Sequence, residues 1–521
     1  MINAYHKGMK KLKNNFISGA LVLSLGGLFA KILGALYRIP LTNIVGSYGM
    51  GLYQLVFPAY ILFLTVAQAG VPVALSKLIA QNNQLNQAEN GRKIFKVAFF
   101  SLLISGAVCA ALLAALSGVI SRLQGNANTA SAFLVVAPAL LFIPVTNVLK
   151  GYFQGNMNMV PSGVTTVIEQ VVKLVVGLFA AYAAMPDVQK AVLGACLAIT
   201  VSEFCSLAIM ATVYVVHKKR NKLPRIVLNK ADAGSAFSQI FSLAVPVALG
   251  AFVMQTSQVI DSVMVVNLLT VPGATEKYGL WTGPVNSMLG LPIALSGGVA
   301  VSALPGLTKA FYDDDKSQMQ RSFNLAMKLT LVIALPCAFG LIALSEPILS
   351  LLYSGLPQSE IAVSATLLSL SGLSVVFLAV MQTAVSVCQA VDKPYASVVI
   401  ISLAIVVKAV INLVLLPNPK VNIYGAAISE TLCYLFATVC VIIYLKVKIG
   451  LKLDVGQSVV KPLAAGAAMS LIVTVAVVFA KKVFFTPIGT VALIVVAAVT
   501  YFAAVSWLKT FSKADATDAG K

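Results

Sequence analysis

Eight ionisable side chains stand out in or beside stretches otherwise apolar enough to cross a bilayer: Lys31, Arg38, Lys173 and Lys408 among the cations, and Glu169, Glu203, Asp261 and Glu430 among the acids. A charge at the bilayer centre costs about 2.5 to 3.5 kcal/mol on insertion scales, so each of these needs a partner, water or a task. The chemistry open to them is ion pairing, exchange of a proton or cation, and capture of an anionic ligand in a protected cavity.

Spacing sorts the eight. Ser24, Gly27, Lys31, Gly34 and Arg38 recur at intervals of three and four, which puts small or cationic residues on one face of a helix and apolar ones on the rest. Lys31 and Arg38 are therefore expected to line a cavity, with locking ion pairs, or snorkelling of Arg38 to the headgroups, as the alternatives. Glu169 and Lys173 stand one turn apart and are expected to neutralise each other, a direct ligand or coupling role remaining open. Lys408 with Asn412 is the counterpart in the second half, with no carboxylate one turn away, so its partner must come from another helix, a ligand or water. The run Gln255, Thr256, Ser257, Gln258, Asp261, Ser262 and Asn267 is too polar for a lipid-facing span and predicts an aqueous lining. Asp261 reads either as a proton site or as the partner of Lys31 or Lys408; Glu203 and Glu430 join it and Glu169 as coupling candidates.

The elements that must position these groups follow from composition. Hydrophobic residues make up 59% of 521 positions and charged residues 10%, too little polar surface for a soluble fold of this size. Apolar runs of about 20 residues, without strand alternation, predict an all-α integral membrane protein of about 14 transmembrane helices and exclude a β-barrel. The expected spans are 16–37, 50–75, 94–117, 130–151, 161–184, 191–216, 237–268, 282–306, 325–353, 362–390, 395–416, 423–445, 460–480 and 487–508. The basic N-terminus before an apolar run superficially resembles a cleaved leader, but Lys31, Arg38 and the lack of a small-x-small site read as a retained first helix.

The formal net charge of +20 is explained by where it sits. With the N-terminus inside, roughly 27 of the Lys and Arg residues fall in cytoplasmic segments and roughly 7 outside, which predicts cytoplasmic termini. The cluster Lys218, Lys219, Arg220, Lys222, Arg225 and Lys230 therefore reads as a topology determinant that contacts anionic lipid, with no nucleic-acid partner. The seven cysteines lie in apolar runs without a CxxC, and Asp313, Asp314 and Asp315 read as a solvated helix start; neither predicts a metal or any cofactor.

Self-similarity organises the chain. Gly51-Leu52-Tyr53 and Ala69-Gly70-Val71 recur as Gly279-Leu280-Trp281 and Gly297-Gly298-Val299, displaced by about 228 positions, while Gln154 and Lys173 recur as Gln389 and Lys408, displaced by about 235. Six spans separate the copies, so the repeats are parallel: two six-helix lobes around a central cavity, plus two C-terminal helices. The expected segments are a cytoplasmic N-terminus 1–15, an N-lobe 16–217, a basic linker 218–236, a C-lobe 237–446, the last two spans within 447–508 and a tail 509–521. Pro58, Gly70 and Pro72 in span two, and Pro284, Pro292, Gly297 and Gly298 in span eight, predict bends or breaks, with hinges as their functional reading.

The helix count and order, with Ala30-Lys31-Ile32-Leu33-Gly34, Tyr48-Gly49-Met50-Gly51-Leu52-Tyr53 and Leu304-Pro305-Gly306-Leu307-Thr308-Lys309, resemble the multidrug/oligosaccharidyl-lipid/polysaccharide exporter superfamily. Within it the chain looks most like the stage V sporulation protein B-like polysaccharide flippases, related to the lipid II flippases. The resemblance implies an alternating-access transporter and not an enzyme, a carrier that turns a polyprenyl-pyrophosphate-linked saccharide, lipid II among the candidates, to the outer leaflet of the cell membrane. Lys31 and Arg38 match those flippases' span-one basic residues, whereas Leu62 to Leu64, Asn286 and Ser287 stand where they carry further arginines. The expected partners are the lipid-linked saccharide, membrane lipids and a coupling proton or sodium ion, with a monomeric protein. A cation-coupled multidrug exporter is the alternative. A membrane glycosyltransferase or ligase would need a catalytic carboxylate or histidine on a sizeable loop, and here the loops are short and His6 and His217 lie at a terminus and a helix end.

Overall fold

The computed structural model describes residues 2–68, 70–222, 229–479 and 486–511, with side chains over the same residues except 2–25, 28, 31, 230–231, 246–247 and 299–305. The described residues form helices and turns with no strand among them. In chain order the α-helices are α1 (Ile2–Gln68), α2 (Val71–Gln84), α3 (Ala88–Leu123), α4 (Ala130–Val136), α5 (Ala139–Gly155), α6 (Val160–Ala184), α7 (Val188–Arg220), α8 (Lys230–Leu268) and α9 (Ala274–Leu280). They continue as α10 (Asn286–Tyr312), α11 (Lys316–Ala343), α12 (Ser345–Leu352), α13 (Gln358–Ala390), α14 (Pro394–Leu415), α15 (Tyr424–Tyr444), α16 (Lys461–Phe479) and α17 (Pro487–Trp507). Among the described residues twelve stretches are long and apolar enough to cross a membrane, against the fourteen expected. One of the twelve, Ile32–Gln84, runs for 53 residues, well beyond the 20 or so that one crossing needs.

Helix ends differ from the expected boundaries where packing overrides hydropathy. The loop expected between spans one and two is helical: α1 continues through it and is interrupted only at Gly46, whose φ of 69° breaks the regular helix. Leu41, Val45 and Met50 in that stretch are buried, so they stabilise helix where a polar turn was expected. Span two is broken at Gly70, which takes the left-handed conformation (φ 71°) and starts α2 with Pro72 in its first turn. Polar caps start other helices: Asp187 accepts from the backbone N–H of Lys190 at 3.1 Å and Asp315 from that of Gln318 at 2.8 Å. The second contact gives Asp315 of the three-aspartate run the helix-start role read for it.

The chain divides into two compact units, Met1–Val45 with Leu52–Val263, and Gly46–Gly51 with Met264–Lys521. In the first unit α2, α3, α5 and the start of α8 share a core built on Val71, Leu75, Phe95, Leu149, Phe153 and Ile240. An ion pair between Lys93 and Asp232 (3.0 Å) joins α3 to α8. In the second unit α13 is the central helix, against α10, α11 and α15. There α16 and α17 cover α11 through Met469, Val473, Leu493 and Tyr501, and the Tyr501 hydroxyl donates to the Val332 carbonyl at 3.0 Å. Outward faces are apolar throughout, with Phe179 at 75% and Ile488 at 86% exposure, as helices facing hydrocarbon require.

Two repeat motifs meet within the second unit. A Cβ on Gly279 would lie 2.5 Å from the Gly51 nitrogen and closer still to the Ser47 carbonyl oxygen, and one on Gly51 would strike the Thr275 backbone. The repeated glycines thus allow two helix backbones to touch, the use small residues serve between membrane helices.

Candidate functional site

The first unit gathers five of its ionisable groups in one place. Lys150 of α5 pairs with Glu169 of α6 at 3.6 Å, both side chains largely buried, and donates to the Thr166 hydroxyl at 3.2 Å. Glu169 also accepts from the Gln170 amide at 3.0 Å. Glu203 of α7 lies beside Glu169, in the field of both Lys150 and Lys173. Lys173 in turn interacts with Glu169, Glu203 and the Arg38 guanidinium of α1. The buried Tyr60 ring lies in the field of the two carboxylates, and its hydroxyl makes no hydrogen bond within the protein.

Small residues bring these helices close. A Cβ on Gly26 would sit 3.0 Å from the Gly163 carbonyl oxygen, and one on Gly34 would sit 3.8 Å from the Gln170 amide oxygen, so the small face of α1 leans on α6. Gly177 of α6 accommodates the Tyr37 ring, whose edge meets Tyr53 at 6.3 Å. The side chain of Lys31 lies outside the described residues.

One expectation is corrected here. Glu169 and Lys173 are not a self-contained pair, because the ion-pair partner of Glu169 is Lys150 on the neighbouring helix. Sequence reasoning passed over Lys150 because hydropathy ended span four at 151, while α5 continues to Gly155 and carries Lys150 more than a turn inside it. Its only local signal was Thr146 and Asn147, three and four positions earlier. Tyr60 gave no signal at all, since a tyrosine in an apolar span reads as core.

The second unit holds Lys408 differently. Its ammonium stands over the Trp281 ring, 6.0 Å from the centroid, and the residue is 4% exposed. Trp281 is the repeat counterpart of Tyr53 and begins a π-helical turn, Trp281–Val285, that contains Pro284. One turn on from Lys408, the fully buried Asn412 accepts a hydrogen bond from the Ser429 hydroxyl of α15. Glu430, next to Ser429, accepts from the Tyr434 hydroxyl at 3.2 Å. Lys328, 5% exposed in α11, is a further buried cation that sequence reasoning left at the edge of its span.

The remaining candidates separate. On α8, Asp261 and Ser262 are buried, and Ser262 accepts from the Gln124 amide at 3.0 Å. Gln124 also donates to the Leu55 carbonyl at 2.9 Å, so this part of the polar run is tied into the first unit. Gln258 is exposed, and Gln255 is half-buried with its amide oxygen lacking a hydrogen bond. Among the hinge candidates, Pro58 is internal to α1, whereas Gly70 and Pro72 mark a true break. Pro292, Gly297 and Gly298 lie within α10, which is helical from Asn286 to Tyr312.

The arrangement so described has counterparts among known proteins. The family described as polysaccharide biosynthesis protein matches residues 16–311, and the MatE family matches residues 246–414. Stage V sporulation protein B of Bacillus subtilis (strain 168) is 25% identical over 425 residues, covering 80% of this chain and 81% of that protein. Lipid II flippase MurJ of the same organism is 23% identical over 446 residues, covering 81% of each. Among solved structures, lipid II flippase MurJ in an inward closed conformation superposes with a TM-score of 0.72 at 16% identity, over 94% of this chain and 99% of that one. An inward-facing multidrug resistance MATE family transporter gives 0.69 at 15% identity, over 81% and 94%.

Proposed function

The chain belongs to the polysaccharide biosynthesis protein family, and from that premise we propose that it is an alternating-access flippase for a polyprenyl-pyrophosphate-linked saccharide, moved from the inner to the outer leaflet for wall or polysaccharide assembly. The observation that carries this reading is the likeness to a sporulation membrane protein and to a lipid II flippase over four fifths of the sequence. Charge supports it: the cluster in the first unit sets Arg38, Lys150 and Lys173 against Glu169 and Glu203, an excess of one positive charge (three minus two) away from bulk water. A pyrophosphate is the ligand such an excess favours.

In this reading Lys31, Arg38 and Lys173 of the first unit hold the pyrophosphate, and Gln255 and Gln258 offer hydrogen bonds to the sugar; Lys408 and Asn412 are the substrate-binding candidates of the second unit. The lipid tail stays in the membrane. Glu169 and Glu203, side by side near a tyrosine hydroxyl with no hydrogen bond in the protein, are the leading groups for exchanging a proton or sodium ion, with Asp261 and Glu430 as the others. Gly70 is the leading hinge, because a left-handed glycine between two helices lets the chain swivel with little steric cost. Both termini face the cytoplasm, as the positive-inside count predicts, and the protein works as a monomer.

The test is a reconstituted flipping assay in proteoliposomes with defined lipid-linked sugars. Movement of at least one of them, lost in Arg38→Ala and Lys173→Ala, is expected. A folded protein that moves none would overturn the assignment. The MatE match keeps one competitor in view, a cation-coupled multidrug exporter. Drug resistance abolished by Asp261→Asn alone, with Lys31→Ala and Arg38→Ala indifferent, would put that function in place of the flippase.

A further inference from the structure

A groove of about 700 Å³ opens on the outer side of the first unit, between α3, α5 and α7. Its chemistry is graded along its length. At one end stand Arg92, Lys96 and Lys218; beyond them the walls are Phe99, Phe142, Leu149, Leu207 and other apolar side chains. None of these residues belongs to the buried charge cluster.

The sequence spacing explains the grading. On α3, Arg92, Lys96, Phe99, Phe100 and Leu103 recur at intervals of three and four with one adjacent pair, and on α7 Leu207, Ala211, Tyr214 and Lys218 do the same. Each set is one face of a helix. The faces run in opposite senses, because α3 begins where α7 ends, so the basic residues of both fall at the same end. From position 92 to 103, and from 218 back to 207, is eleven residues, about 16 Å at 1.5 Å per residue. Half of a hydrocarbon core of about 30 Å is about 15 Å. The groove is therefore one leaflet deep.

At the basic end Arg92 has unmet hydrogen-bonding capacity. Arg92 donates weakly to the Ala88 carbonyl through Nε at 3.4 Å, while its Nη1 is buried with no hydrogen-bond partner. A buried guanidinium nitrogen without an acceptor costs free energy that an anionic oxygen would recover. The floor is preformed: Phe95 stacks against Tyr152 at 4.7 Å and Tyr214 at 5.1 Å between ring centroids. Phe100 and Val215 at its edges are 49% and 48% exposed.

We propose that this groove is a binding site for one anionic phospholipid of the leaflet at the basic face, its phosphate held by Arg92, Lys96 and Lys218 and an acyl chain laid along the apolar walls. An occupant must be anionic at one end and apolar for one leaflet's depth. A free phosphate leaves the walls bare, and a protein helix brings no anion to that end. The site is separate from the saccharide path and does not rest on the flippase reading.

The test titrates full-length protein in detergent with phosphatidylglycerol, phosphatidylcholine or a polyprenyl phosphate and counts bound lipid by native mass spectrometry. One phosphatidylglycerol is expected to bind at least tenfold tighter than phosphatidylcholine. Arg92→Ala/Lys96→Ala/Lys218→Ala is expected to weaken it on the order of a hundredfold, the combined effect of three cations near a phosphate. Ala211→Trp, which fills the groove and leaves the charges, is expected to abolish the one-to-one complex, and either variant suffices if the other fails to fold. Lys446→Ala/Lys448→Ala, which removes two lysines of the second unit, is expected to change nothing. Equal binding of the two phospholipids, indifference to both groove variants, or polyprenyl phosphate binding tenfold tighter than phosphatidylglycerol would each overturn the proposal.

Discussion

Lys173 in α6 and Lys408 in α14 occupy matching places in the two halves of the sequence, each near the middle of a helix that begins at or beside a proline, yet their surroundings have little in common. Lys173 sits in an ionic network with Glu169, Glu203 and Arg38, which Lys150 completes from α5. Lys408 lies over an indole face, one turn from an asparagine engaged by a serine hydroxyl. A network of carboxylates and ammoniums can change protonation and carry coupling, whereas an indole face orients a cation through its fixed quadrupole. Repetition preserved the position of the charge and left its management free to diverge.

Glycine shows the same divergence. Gly70 breaks span two in the left-handed conformation, and its counterparts Gly297 and Gly298 sit inside a continuous helix. In the second half the irregular turn falls earlier, in the π-helical segment that contains Pro284.

Four tests probe this asymmetry, taken from the largest expected effect downward. Glu169→Ala strands Lys150 and Lys173 in a buried site and is expected to cost about 3 to 5 kcal/mol in denaturant unfolding from micelles. Lys150→Met/Glu169→Met should recover most of that loss; a loss below 1 kcal/mol for Glu169→Ala would show that the network is not holding the helices together. Next come paired glycine replacements with opposite signs. Gly70→Ala must place a side chain at φ 71° and is expected to destabilise by about 1 to 2 kcal/mol. Gly298→Ala, in a helix with open space around its Cβ, is expected to stabilise by about 0.5 to 1 kcal/mol. Changes of the same sign at both sites would erase the contrast between the halves.

Trp281→Phe keeps an aromatic face under Lys408 and is expected to lose about 1 kcal/mol, with Trp281→Leu losing more, in the same unfolding measurement. Equal losses for the two would mean that ring volume, and not the cation contact, is what matters. The smallest effect is one of pH. The backbone N–H and ammonium of Lys190 hold the Asp187 carboxyl below its usual value, so this contact stabilises the start of α7 above the ordinary carboxylate range and is lost as pH falls through the lowered value. The difference in unfolding midpoint between the protein and Asp187→Asn is expected to shrink as pH drops below about 4; a constant difference would show that Asp187 acts by shape alone.

Much of this could be read from the chain. Apolar runs of about 20 residues leave the backbone no hydrogen-bonding option in hydrocarbon except the helix, so an all-α, multi-pass fold is forced by composition and length. The cost of a charge in oil likewise singled out Lys173, Glu169, Glu203 and Lys408 as buried and occupied with something. Those inferences are local: they depend on spacing within one helix and on a penalty that each residue meets by itself.

The partners were decided by the tertiary structure. That Glu169 turns to Lys150 and not to Lys173, and that Trp281 receives Lys408 from more than a hundred positions away, depend on distances between segments that no periodicity encodes. The continuation of α1 across the expected loop likewise follows from what packs beside it, where Leu41 and Val45 are buried. A helix's face is written in its own residues, but the neighbour that meets that face is fixed only when all the helices are in place.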